Sequence, residues 1–179
     1  MVSRMNIFFL SSNPKTAAEW HCDKHVVKML LESAQLLWTA QHIAGSGTSL
    51  EFIDAPTTKD GSRRGYKPTH KNHPCAIWTR KSLGNYMWLC ALASALADEY
   101  HYRYPSAGPH ACEAHIAWLT ANPPRLQEGP LTWPALAMPD EYKISKSPMS
   151  CYRAFYIGSK GARGLLTYTR REIPVWIMQ

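Results

Sequence analysis

NPKTAAEWHCDKHVVKMLLESAQLLWTAQHIAG, residues 13–45, has the outline of one long helix. Pro14 suits a first helical position, where its missing amide hydrogen would have had no partner anyway. Asn13 before it can cap the free amides. Gly45-Ser46-Gly47 ends the run, so the pattern predicts a helix from 14 to about 44. On a helical wheel His21, His25, Lys28, Glu32, Gln35, Thr39 and His42 recur at steps of four and three and share one face. Most of the rest of 22–38 is apolar or small, with Asp23, Lys24 and Ser33 as exceptions. An ordinary surface helix has a broad polar face. A narrow charged seam predicts a buried helix whose seam looks into a cleft. Lys28 and Glu32 must then pair or reach water, because burying either alone costs several kcal/mol, on the order of a buried unpaired charge. The plainer alternative is a surface i,i+4 pair worth about 0.3–0.5 kcal/mol.

Outward from that helix, Met5–Leu10 reads as a short strand or extended arm. Residues 45–72 form a long loop with a basic patch, Lys59, Arg63, Arg64, Lys67 and Lys71. Loops of that length are usually functional or mobile. A second long helix is expected from about 74 to 102 and a third over 109–120. Residues 123–148 hold six prolines and read as irregular. A last short helix covers 148 to about 159, glycines 158, 161 and 164 loosen the chain beyond it, and the tail through Trp176 is extended. The expected fold is mainly α: a single helical domain over 1–179 with a short extended N-terminal segment, a long basic loop and a Pro-rich C-terminal part.

With 179 residues the chain can bury one core. No apolar run approaches the roughly 18–20 residues that span a bilayer. The short N-terminal apolar piece is too little for a signal peptide, so a cytoplasmic protein is expected, without a membrane partner. Five cysteines, an odd number, argue against a disulfide framework, and Cys90, in an apolar helical pattern, reads as a buried free thiol. The net charge of +7 and pI near 9.2 favour an anionic partner. Seven Trp and nine Tyr add rings that can stack on bases. A nucleic acid, DNA or RNA, or a nucleotide is therefore the expected partner; no protein partner is evident.

A second polar cluster, Tyr66-Lys67-Pro68-Thr69-His70-Lys71-Asn72-His73-Pro74, lies just before the second helix. His73 is expected near that helix's positive end, where the dipole lowers an imidazole pKa, and His70 and His73 could face the stripe. His21 and His25 have the i,i+4 spacing that lets two imidazoles share a zinc, and His70, His73 and Cys75 could add ligands. But no Cys-x-x-Cys pair is present and His21-x-x-x-His25 lacks the glutamate of a zinc-protease helix. His110-x-Cys112-x-x-His115 is equally weak. No metal and no cofactor are expected.

The order of these pieces resembles the pyrimidine-dimer DNA glycosylase family of the phage endonuclease V type. The likeness rests on Met5-Asn-Ile-Phe-Phe-Leu10, Ala17-Ala18, Asp23-Lys24-His25, Lys28, Glu32 and Gln35-Leu36-Leu37. It continues with Asn72-His73-Pro74-Cys-Ala-Ile-Trp78, Tyr86 and Glu99-Tyr-His-Tyr-Arg103-Tyr104. It covers about residues 5–104, leaving 105–179 as a Pro-rich, basic extension. Within that extension, Cys151–Lys160 is similar to the aromatic, basic C-terminal stretch of the founding phage enzyme. The resemblance implies a helical DNA-repair enzyme that cleaves a glycosidic bond of a damaged or modified pyrimidine and often nicks the strand by β-elimination. In that chemistry an amine attacks the sugar C1′ while a carboxylate stabilises the developing positive charge.

By this resemblance Glu32 is the carboxylate, with Lys28, His25 and His73 beside it. Lys24, His21, Gln35, Arg63, Arg64, Lys67, His70, Lys71, Asn72, Arg153 and Lys160 would bind the substrate. His25 stands where relatives have Arg. The founding enzyme is expected to use the amine of its N-terminal residue after loss of the initiator Met, whereas here Met5 corresponds to the family start and nothing in the sequence brings a backbone amine to the stripe. Lys24 or Lys28 would then be the nucleophile, or the lyase step is absent. Two other readings stay open: an enzyme of nucleotide or nucleic-acid modification using His/Glu acid–base chemistry, and a non-catalytic nucleic-acid-binding protein.

Overall fold

The helix that Pro14 opens stops after two turns. In the computed structural model, which describes residues 5–45 and 52–178, α1 is Pro14–Trp20 and α2 is Asp23–Ala44, with His21 and Cys22 extended between them. The one helix expected over 14–44 is therefore two. Side chains take over backbone groups that a continuous helix would pair. Arg103 Nη2 donates to the Glu19 carbonyl at 3.0 Å. The Asp23 N–H, which would otherwise bond that carbonyl, goes to Thr167 O at 2.9 Å. Asn13 caps α1 as expected, its Oδ1 accepting the Thr16 N–H at 3.1 Å.

The second long helix is also divided, into α3 (Pro74–Thr79) and α4 (Leu83–Arg103). Ser82 restarts it by accepting the Asn85 N–H at 3.2 Å. The proline-rich segment caps the same turn, Gln127 O taking the Leu83 N–H and Gly129 O that of Gly84. Gly84 is required by this approach, since a Cβ there would collide with the Pro130 backbone. Buried Asn85 completes the seam, donating to Trp78 O and accepting the Thr132 N–H. Helix α5 spans Glu113–Ala121, starting later than 109 because the Glu113 carboxylate holds the His110 N–H in a preceding turn. Helix α6 ends at Pro148–Tyr156 and continues as a π-helical turn, Ile157–Gly161, in place of a regular helix to 159.

The chain is mainly helical. Among the described residues the only β feature is an isolated bridge between Thr57 and Arg64 in the basic loop; Met5–Leu10 is a buried extended arm, not a strand. Helix α4 is the central element, packing on α1, α2 and α5. Tyr86, Leu89, Leu92 and Leu96 fill its inner face, and Trp38 of α2 stacks on Trp118 of α5 at 5.1 Å. All five cysteines are buried free thiols. No helix among the described residues is long and apolar enough to cross a membrane.

Charges hold one end of this assembly. The Arg103 side chain is fully buried and bonds Glu99 through Nε at 2.7 Å and Asp23 through Nη1 at 2.9 Å. Arg171 from the tail grips the other side of Glu99, with Nη2–Oε2 at 2.8 Å. Asp23 also accepts the Thr169 N–H and hydroxyl. Burial alone would raise the Asp23 and Glu99 pKa values, but the bonds from Thr169, Arg171 and Arg103 outweigh it and both are lowered. Removing one member leaves buried charges unpaired. Arg103→Met should cost about 3–5 kcal/mol in urea unfolding at neutral pH. A loss below about 1 kcal/mol would mean that these contacts act as ordinary surface pairs.

Candidate functional site

Glu32 lies in the middle of α2 with its side chain only 8 % exposed, and three elements converge on it. From its own helix, Lys28 Nζ reaches Oε1 at 2.8 Å while keeping its side chain half in solvent. From the N-terminal arm, the Asn6 N–H donates to Oε2 at 3.0 Å. The arm is held there by the Asn6 side chain, whose Oδ1 accepts the Ile7 and Phe8 N–H groups and whose Nδ2 donates to Ala137 O. The i,i+4 pair thus exists, but as part of a buried carboxylate site rather than a solvated surface pair. The backbone nitrogen that reaches the stripe is that of Asn6, a peptide amide and not a free amine.

The third element is His73, the N-cap of α3. Its Nδ1 accepts the Cys75 N–H at 3.2 Å, so the neutral ring carries its proton on Nε2 and can donate. Its pKa is lowered by burial first and by His70 second, with Glu32 opposing. The dominant cause is burial, not the dipole of a six-residue helix. Met5, His73, Pro74 and residues 136–139 line an open cleft of about 400 Å³ on this side. A larger groove of about 580 Å³ runs between α1 and α4, where Glu19, Glu99 and Arg171 are already paired with one another.

Two turns before Glu32, His25 is 3 % exposed and packs on Phe8 with ring centroids 4.6 Å apart. Phe8 has φ +42, a left-handed conformation rare for a non-glycine residue, which turns its ring between His25 and Phe155. His21 lies behind, fully buried, its Nδ1 2.6 Å from Ala17 O. His21 Nε2 and His25 Nδ1 are buried and have no hydrogen-bond partner among the described residues. Burial lowers the His21 pKa to about 4. Burial, then the charges of His21, Lys160, Lys28 and Arg163, lowers that of His25 to about 2. Both rings are therefore neutral in the fold.

That last set of charges shows what the C-terminal segment does. The turn after α6 returns toward α2, and the charges of Lys160 and Arg163, like that of Lys28, act on His25. Lys160 Nζ stands 5.3 Å from the centre of the Phe8 ring. Gly158 permits this return, because a Cβ there would collide with the Tyr142 ring. Sequence periodicity marks 158–164 only as loose and leaves out Arg163, Phe8 and the Asn6 amide. The glycines are a usable signal for close approach, but nothing local indicates where the turn docks.

Other candidate residues are placed differently. Lys24 is exposed on α2, and the helix's outer face also shows Val27 and Leu31, so the polar seam lies at the edge of the buried side and not opposite it. Gln35 is half-buried. Below it, Thr39 and His42 dock the loop: Thr39 Oγ1 bonds Thr69 through N–H and carbonyl, and His42 Nε2 meets Tyr66 O. His70 is exposed with its Nδ1 on Thr69 Oγ1, and Lys67, Lys71 and Asn72 are exposed on the same loop. Arg64 is turned to Ala55 O at 2.6 Å, and Arg63 is half-buried with its Nε unpartnered among the described residues. Arg153 is committed to packing: Nε donates to Leu10 O, and its guanidinium stacks on Trp20 and Trp176. Among the described residues no three His, Cys, Asp or Glu side chains are grouped to hold a metal. His115 Nδ1 accepts from Trp38 Nε1, and His110 Nδ1 from the Cys112 N–H.

The neutral imidazoles give the fold an acid limit. In the unfolded chain they titrate near 6.5, so their contribution is complete above that pH and lost as pH falls toward 4. His21 alone should account for on the order of 3 kcal/mol over that interval. Urea midpoints should fall steeply from pH 6.5 to 4 in the wild type and less in His21→Gln; equal slopes would show that the His21 ring is open to water. No protein-family model, curated protein or solved structure matches this chain, so the geometry around Glu32 is what bears on function.

Proposed function

We propose that the chain is a DNA glycosylase that cleaves the N-glycosidic bond of a damaged or modified pyrimidine, with Glu32 as the stabilising carboxylate. The observation that carries this reading is a buried carboxylate held by a backbone N–H and by Lys28, with the positive charges of Lys160 and Arg163 also felt at His25 two turns away. Breaking a glycosidic bond develops positive charge on the sugar, and a fixed anion in a poorly hydrated site stabilises it most effectively. Fixing Glu32 from two sides means that little reorganisation is needed when that charge appears. The three cations suit the flanking phosphates, and the net charge of +7 suits a polyanion. His73, whose tautomer leaves the Nε2 proton available, would be the donor to the leaving base.

Glu32→Gln keeps an acceptor for the Asn6 N–H but removes the charge. On duplex oligonucleotides carrying a thymine dimer or another modified pyrimidine, base release read by alkali-induced strand scission should fall about 10²–10³-fold. DNA binding should persist and remain salt-sensitive. Equal base release by Glu32→Gln would remove the carboxylate from the mechanism. Binding without base release by the folded wild type would favour a non-catalytic nucleic-acid-binding protein.

A further inference from the structure

We propose that Trp133, in the proline-rich segment, is a stacking platform for an unpaired base, so that the chain prefers strands whose bases are already unstacked to intact duplex. The proposal rests on reading the Glu32 centre as a site that takes nucleic acid, but not on the chemistry assigned to Glu32. Of the seven tryptophans, six are buried or half-buried and Trp133 alone is exposed, at 62 %. A lone exposed apolar side chain needs no explanation. Trp133 differs because its backbone and its ring are both held.

Thr132 before it is pinned by Asn85 and Trp78: its N–H donates to Asn85 Oδ1 at 2.8 Å, its hydroxyl accepts from Asn85 Nδ2 at 2.9 Å, and its carbonyl accepts from Trp78 Nε1 at 3.1 Å. Pro134 after it is buried, and the Ala135 carbonyl accepts the Tyr152 hydroxyl at 2.6 Å. The indole meets buried Phe9 edge to face, with centroids 6.2 Å apart and planes at 76°. Phe9, Ser12, Leu131, Thr132 and Trp133 line a cleft of about 290 Å³. An indole fixed in this way, yet open to solvent, stacks on a flat ring with little conformational entropy left to lose.

The seam that holds Trp133 leads to the Glu32 centre. Trp133 meets Phe9 of the N-terminal arm, and four residues on Ala137 O accepts from the side chain of Asn6, whose N–H holds Glu32. Helix α3 borders both ends, with His73 and Pro74 in the cleft of about 400 Å³ and Trp78 bonded to Thr132. Thr132 and Ala137 are at most about 18 Å apart along extended chain. About five nucleotides cover that distance at duplex rise, and fewer cover it in an unstacked strand.

Charge indicates what covers the Trp133 cleft. Residues 129–139 carry none, and Glu128 is the one acid of 121–139. The turn that packs on their start is basic: Ser82 Oγ bonds Pro130 O at 3.2 Å, and Arg80 and Lys81 precede it, Lys81 being exposed with no ion-pair partner among the described residues. Arg80 Nη1 donates to Lys71 O at 2.7 Å, which brings the end of the basic loop to the same turn. An exposed indole in an uncharged cleft beside Lys71, Arg80 and Lys81 is the combination that binds a single strand, cations on phosphates and an aromatic ring on a base. Bases inside a duplex are stacked on one another and offer the indole no face.

The test uses the full chain and three undamaged, fluorescein-labelled DNAs of one sequence: a single strand, a perfect duplex and a duplex with one bulged base. Wild type should bind the single strand and the bulged duplex more tightly than the perfect duplex. Trp133→Ala should weaken binding to those two by about 5–100-fold. Its affinity for perfect duplex should change by less than about twofold, and the salt slope should stay the same, because stacking releases no counterions. Trp133→Phe keeps a ring against Phe9 and should retain most of the preference. Melting temperatures establish that both variants are folded. Equal weakening on all three DNAs, or no weakening on any, overturns the proposal. Base release by the wild type from damaged duplex is measured in parallel. Release without a Trp133-dependent preference leaves the glycosylase reading standing and removes the platform. A Trp133-dependent preference without release keeps the platform and removes the glycosylase reading. Neither result, from folded protein, removes both.

Discussion

The Arg103 guanidinium is the constraint on which the rest of this structure depends. By taking the Glu19 carbonyl and the Asp23 carboxylate it divides the first helix and fixes the angle at which α2 starts. Two contacts then tie the C-terminal segment to that junction: Tyr156 OH accepts the Cys22 N–H at 2.8 Å, and Thr167 O accepts the Asp23 N–H at 2.9 Å. With both ends clamped at Cys22–Asp23, the stretch between them must fold back over the first turns of α2. There Lys160 lies over Phe8, and this is how the charges of Lys160 and Arg163 come to act on His25. A charge network far from Glu32 in the chain thus decides the charge around Glu32.

The same network explains how much is readable in the sequence. The face shared by His25, Lys28 and Glu32 comes from helical period alone, and Asn13, Pro14 and Gly45 bound the helical region correctly. The breaks at 21–22 and 80–82 are not readable. In the first, the carbonyl that a continuous helix needs is claimed by a residue 84 positions away; in the second, the new helix end is capped by carbonyls of a proline-rich segment that reads only as irregular. Asp23, Glu99 and Arg103 belong to the clamp and not to the Glu32 site.

The carboxylate site itself is asymmetric. Glu32 is held on one oxygen by a rigid backbone amide and on the other by a lysine whose side chain is half in water. A backbone donor has no rotamers to lose, so Oε2 is fixed at little entropic cost. Lys28 can swing toward an incoming anion while Oε2 stays in place. The strained Phe8 fits the same logic: its positive φ disfavours that backbone by on the order of 1–3 kcal/mol, yet it places an aromatic floor that no regular strand or helix over residues 5–10 would provide.

Placing a neutral imidazole at position 25 shifts the positive charge from the helix to the returning turn. His25 is shielded by Phe8 and Tyr156 and contributes no charge above acid pH. The cations that act on it come from two separate elements, Lys28 from α2 and Lys160 and Arg163 from the tail, so the last two add to the local positive potential only when the tail is docked. Docking depends on Asp23 staying ionised, since its carboxylate accepts both the N–H and the hydroxyl of Thr169. Acid therefore acts on fold and site through one junction. As pH falls, His21 and His25 acquire charge against the positive charges of Lys28, Lys160 and Arg163, and protonation of Asp23, whose pKa is itself lowered, removes the acceptor that holds the tail carrying two of those cations. Acid acts on both stability and the positive charge felt at His25 because the same few residues at the α1–α2 junction support both.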